Sequence, residues 1–216
     1  MPPTSASGFW RVIQAGMRSM LFAAGFGTGG AGDRAGRPLL ATGRLGAYPH
    51  GVRMTWEQIC QDKVLADLPY KVELDRSGKL IMSPAHKEHS KLQTKIQRWL
   101  IRLLPQGDPL PECAVQTAAG IRVPDVAWIS EERWASLPPD EASCSRAPEI
   151  CIEILSAANS VEEMLGTPER PGKRELYFQA GAQEFWLCDE AGRITFFDAT
   201  GQIQRSLLCP GFPEQV

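Results

Sequence analysis

From residue 54 onward, apolar and polar positions alternate first with a period of two and then with a period near 3.6, a succession that predicts a mixed α/β domain. Thr55 can cap a short helix through Gln61 that carries Trp56 and Ile59 on one side. The segment YKVELDRSGKLIMS reads as a hairpin turning over Asp75–Arg76–Ser77–Gly78. Residues 86–104 predict the strongest helix, because Leu92, Ile96, Trp99, Leu100 and Leu103 fall on one stripe. Lys87, Lys91, Lys95, Arg98 and Arg102 form a second stripe, about 80° wide at 3.6 residues per turn. That basic face suits phosphate backbones or simply water. Strands follow at Cys113–Thr117 and Ile121–Ile129, then a Pro-, Ser- and acid-rich loop over 130–147. EICIEIL at 149–155 is apolar on both sides, as a strand covered on both faces must be. A helix from Lys173 to Ala180, stopped by Gly181, and a hairpin of EFWLCD and RITFFD over Glu190–Ala191–Gly192 complete the pattern.

Composition adds a boundary. Residues 1–53 hold 11 of the 20 glycines and six arginines against one acid, Asp33, so this stretch is +5 while the whole 216-residue chain is −2. So much glycine with so little apolar surface predicts a disordered extension, with the folded domain over 54–216. Phe9 to Phe26 resembles the front of a transit or secretory segment but lacks a small-residue cleavage site, and Met54 offers an alternative translation start. The near-neutral total excludes a generally basic nucleic-acid coat. No run reaches the roughly 18 apolar residues of a membrane helix. Six cysteines without a CxxC pair point to free thiols and a reducing cytoplasm.

Two acids stand where a core is expected. Asp125 shares its strand face with Val123, Ala127 and Ile129; Glu153 shares its own with Cys151 and Leu155. Burying a carboxylate costs several kcal/mol unless a cation, a donor or a proton compensates. Each alone could cap a helix or pair with Arg or Lys. Together they suit a divalent metal, because hard cations such as Mg²⁺ take oxygen ligands. Lys173 lies at the edge of the buried helix face shared with Leu176, Tyr177 and Ala180, and an inward-leaning lysine needs an anionic partner. Two acids and a lysine around an ion can hydrolyse phosphodiesters.

The order LPYKVELDRSGKLIMSPAHKEHSKLQ, PDVAWIS, APEICIEILSAANS and KRELYFQAGAQEFWLCDEAGRITFFD resembles the Uma-type restriction endonucleases, a branch of the PD-(D/E)XK nuclease superfamily, over about residues 54–213. The resemblance implies a restriction-endonuclease-like fold, a central mixed sheet flanked by helices, with Mg²⁺- or Mn²⁺-dependent cleavage. It matches Pro124–Asp125 to the PD element and Glu153 to the second acid, which makes Asp125 and Glu153 the metal ligands. Leu155 stands where the superfamily places its lysine, so the resemblance assigns that role to Lys173 on the following helix. It also matches Glu73 to an acidic position of the early hairpin, as metal ligand or lysine partner; alternation puts Glu73 beside Lys71, where a plain surface salt bridge is an equal expectation. Residues 165–171, LGTPERP, read as an insertion that could displace Lys173.

DNA is the expected partner, and a homodimer would allow both strands to be cut. The alternative is a catalytically inactive module that keeps the fold and binds nucleic acid or protein. His86 and His89 read as helix-start or core histidines rather than ligands, and the tryptophans as core residues. No GxSxG supports a serine hydrolase, and no GxxxxGK[ST] supports a phosphate-binding nucleotide loop.

Overall fold

The computed structural model describes residues 53–66, 70–84, 86–156 and 159–216; the extension expected over 1–53 lies, up to residue 52, outside them. The capping box at Thr55 forms as its sequence dictates, and α1 (Trp56–Gln61) is followed by α2 (Lys63–Ala66). The ribbon β1 (Tyr70–Leu74) and β2 (Leu80–Pro84) pairs Glu73 with Ile81 across a turn closed by Asp75 and Gly78. The long amphipathic segment becomes α3 (Lys87–Leu103), which buries Leu92, Ile96 and Leu100.

Strands β3 (Gly107–Pro111), β6 (Val126–Ser130), β7 (Ile150–Ile154), β8 (Glu184–Cys188), β9 (Ile194–Asp198) and β10 (Gly201–Ile203) form one sheet in the order β10-β9-β8-β7-β6-β3. Only the β7–β8 pairing is parallel within it, so the sheet is mixed. One face, bearing Val126, Trp128, Ile150, Ile152, Ile154 and Trp186, packs against α3. The other carries Cys151, Phe185, Leu187 and Phe197, and is covered by Met164 of α5 (Val161–Leu165) and Tyr177 of α6 (Lys173–Gln179). All five residues of β7 are buried, as its two-sided apolarity required.

Three expectations are corrected, and two edge strands are added. The strand read over Ile121–Ile129 is two: β5 (Gly120–Arg122) pairs with β4 (Val115–Thr117), and the chain re-enters the main sheet only at Val126. Pro124 has no N–H for a ladder and restricts Val123, so the break falls between them. Residues 131–136 of the expected loop form α4 (Glu131–Ser136), capped by Ser130, whose hydroxyl accepts the Arg133 N–H at 3.1 Å. The first strand of the pair starts at Val115 rather than Cys113. Strands β3 and β10, at the two sheet edges, have no clear alternation; Pro109 and Pro111 are tolerated in β3 because an edge leaves one side of the backbone unpaired. All six cysteines are free thiols. Among the described residues, no helix is long and apolar enough to cross a membrane.

Candidate active site

The antiparallel register of β6 and β7 sets Val126 against Ile152; one step further along the same register, Asp125 stands opposite Glu153. Cross-strand neighbours keep their Cβ atoms about 4.5–5.5 Å apart, so the two acids converge by strand pairing alone. The ladder ends there because the Asp125 side chain, not its backbone, takes the next donor: Oδ2 accepts the Ile154 N–H at 2.8 Å. Asp125 is 1% exposed and Glu153 is fully buried.

Both carboxylates meet the same ammonium. Lys71 Nζ donates to Asp125 Oδ1 at 2.5 Å and to Glu153 Oε2 at 3.3 Å. The other Glu153 oxygen, Oε1, accepts the Tyr177 hydroxyl at 2.7 Å and lies 3.1 Å from Lys173 Nζ. Lys173 donates to Glu73 Oε1 at 2.8 Å, and that same oxygen accepts the Val123 N–H at 2.9 Å. Glu73 is therefore buried, at 4% exposure, and of the alternatives open for it the structure shows the tie to Lys173 rather than a surface salt bridge. From α3, His89 Nε2 comes within 3.2 Å of Asp125 Oδ1, while Gln93 Nε2 donates to the Asp125 carbonyl at 2.9 Å.

The insertion does not displace Lys173. Thr167 and Arg170 exchange backbone hydrogen bonds of 2.8 and 3.2 Å, which folds residues 166–172 back on themselves. The two ends of that excursion touch: a Cβ on Gly172 would sit 2.2 Å from the Gly166 nitrogen. Helix α6 thus starts where the chain left α5, and its first residue points into the acids.

Burial and charge oppose each other at each group. Burial would raise Asp125, but the His89 and Lys71 contacts outweigh it and hold the carboxyl below its usual range. Glu73 likewise lies below its usual value, because Lys173 and then Lys71 overcome its burial. For Glu153 the balance reverses: complete burial, aided by the neighbouring acids, raises its pKa in spite of both lysines. Lys71 and Lys173 are pushed up against their own burial, chiefly by Glu153. Three carboxylates, Glu73, Asp125 and Glu153, face two ammonium groups, Lys71 and Lys173.

The cluster opens into a cavity of about 260 Å³ whose wall includes Lys71, His89, Asp125, Asn159, Glu163 and Lys173. Among the described residues, no three His, Cys, Asp or Glu side chains are grouped to hold a metal by themselves. The donor set nonetheless fits an ion that keeps most of its waters: Asp125 Oδ1 and Glu153 Oε2 already share one cationic nitrogen. Glu73 is turned away, toward Lys173, which makes it a lysine partner in this arrangement.

The chain matches the Uma2 family, described as "Putative restriction endonuclease", over residues 57–211. It belongs to that family. Among solved structures it is similar to one from Anabaena variabilis ATCC 29413, described as a "putative nuclease belonging to DUF820", at 18% identity and a TM-score of 0.44, covering 67% of this chain and 79% of that one. No curated protein matches the sequence significantly. Uma2 membership brings the restriction-endonuclease-like description together with the mixed sheet and its flanking helices. Sequence reading brought Asp125, Glu153, Lys173 and Glu73 forward, and the structure gathers all four. It missed Lys71 and Tyr177 as members of the cluster and set His89 aside. The signals were present: Lys71 alternates with Glu73 on β1, and Tyr177 lies one helical turn after Lys173.

Proposed function

We propose that the protein is a Mg²⁺- or Mn²⁺-dependent endonuclease that hydrolyses phosphodiester bonds in DNA, in the cytoplasm and as a homodimer when both strands are cut. The observation that carries the proposal is the convergence of Asp125 and Glu153 on a single ammonium, that of Lys71, with Asp125 and Lys71 in the cavity wall. These two carboxylates would hold the metal, which when bound supplies an activated water and neutralises phosphate charge. Tyr177 and Lys173 fix the Glu153 carboxylate, and Glu73 in turn fixes Lys173. Lys173 lines the cavity, where its charge can steady a nucleophile or the developing phosphorane. Lys87, Lys91, Arg98 and Arg102 are exposed on α3 and give that helix a basic outer face, while His89 and Gln93 on another side of it reach Asp125.

Nicking of supercoiled plasmid by the full chain in Mg²⁺ or Mn²⁺ tests the proposal. Asp125→Asn and Glu153→Gln should each lower the rate by about a hundredfold or more, the scale of losing one preorganised charge-stabilising group, while circular dichroism stays unchanged. Equal cleavage by wild type and both variants would falsify it. Plasmid binding without cleavage in any metal would instead support the silent binding module.

A further inference from the structure

We infer that Lys71 is a built-in competitor for the cation position: its ammonium closes the Asp125–Glu153 pair in the metal-free protein and must leave before a divalent ion can bind. The inference rests on the proposed metal-dependent activity and assigns to that site the group that controls ion entry. The pair offers few free acceptors. Asp125 Oδ2 is committed to the Ile154 N–H, and Glu153 Oε1 to Tyr177 and Lys173. What remains is Glu153 Oε2 and Asp125 Oδ1, the latter also approached by His89 Nε2 at 3.2 Å, and Lys71 uses both oxygens. A divalent ion bridging the same oxygens would lie within contact distance of the ammonium, and two cations so close repel strongly in a water-poor site.

The two lysines differ in freedom. Lys173 starts a helix, its side chain is 6% exposed, and it is clamped between Glu73 and Glu153. Lys71 stands on a two-stranded ribbon outside the main sheet; its side chain is 14% exposed and forms part of the cavity wall. Its flexible four-carbon stem can swing the ammonium out into that cavity while β1 stays in place. There it would meet a phosphate of the substrate. Lys71 thus acts as a positioning residue that preserves the two acids as a preformed pair and gives way to the ion.

The test titrates Mn²⁺ into the full chain by calorimetry and by electron paramagnetic resonance of free Mn²⁺, for wild type, Lys71→Met, Lys71→Gln and Asp125→Asn. Both Lys71 variants should bind Mn²⁺ about tenfold tighter than wild type, within the usual range of coupling between two sites, and gain more in melting temperature from it. Asp125→Asn should abolish binding. A second measurement needs no variant at Lys71: amine acetylation followed by mass spectrometry should rise severalfold at Lys71 when Mn²⁺ is added to wild type, with Lys173 still protected. Unchanged or weaker Mn²⁺ affinity in folded Lys71 variants, or unchanged acetylation of Lys71, overturns the inference. In that case Mn²⁺ binding that depends on Asp125 leaves the nuclease proposal standing; no Mn²⁺ binding by any of the proteins overturns both.

Discussion

Glu153 shows how a fully buried acid can be retained. Its two oxygens face three donors, Lys71, Lys173 and Tyr177, which together offset the loss of water. The price of burial still shows in its raised pKa, whereas Glu73, tied to Lys173 and the Val123 N–H, titrates lower than usual. The two therefore act on acid stability with opposite sign. Glu73, depressed from 4.5, contributes stability above that pH and loses it as the pH falls through its folded value. Glu153 is relieved by protonation over a higher range. Glu73→Gln should accordingly flatten the fall in melting temperature below about pH 4.5, measured by thermal scans of the metal-free protein from pH 3 to 7. An acid limb as steep as that of wild type would refute the role given to Glu73. Glu153, like Asp125, was legible in the sequence because a charged residue inside an apolar run is conspicuous, whereas Glu73 was reached only through the family resemblance. The partners of the two legible acids were not conspicuous. Lys71 and His89 are ordinary residues of an amphipathic strand and helix until folding brings them to Asp125.

Elements with strong periodicity formed where the pattern put them: α3, β7, α6 and both hairpins. Boundaries set by tertiary contact did not follow from pattern. The break at Pro124 lets β5 serve the small ribbon and β6 the main sheet, and it is this break that leaves Asp125 at the mouth of β6 rather than within a longer strand. The junction of α5 with α6 is similar. Gly172 has an ordinary φ of −83°, so glycine is needed there for space alone. Its missing Cβ allows the backbone to approach Gly166, and Lys173 is placed by that approach. Gly172→Ala should cost about 1–3 kcal/mol in urea denaturation, the range for overpacking, and should weaken plasmid nicking along with stability. Cleavage and stability both equal to wild type would show that the close approach is not what seats Lys173.

Across the molecule, the sheet binds the parts into one frame, and buried polar groups pin chain segments that make no strands. Glu184, 2% exposed at the start of β8, accepts the backbone N–H groups of Leu207 and Leu208 at 2.7 and 2.9 Å, together with Trp186 Nε1 and Ser206 Oγ at 2.7 Å. It thereby anchors the C-terminal segment that delivers Phe212 to the core beside Trp186. Glu184→Ala strands these donors and should lower unfolding free energy by about 3 kcal/mol or more in chemical denaturation. Mn²⁺ binding per folded molecule should stay unchanged, because Glu184 has no contact with the acid cluster. Periodicity and the oddity of charged residues in apolar runs were enough to reveal an α/β core, its long helix α3, helix α6 and the candidates Asp125, Glu153 and Lys173, since these depend on neighbours a few positions away; Glu73 came forward only through the family resemblance. Which oxygen faces which ammonium depends on contacts between residues from 20 to 100 positions apart, from Glu153–Lys173 to Glu73–Lys173. Only the register of β6 on β7, the docking of β1, and the closure of Gly166 on Gly172 fix those distances, because they are set by packing between elements rather than by local conformational preference.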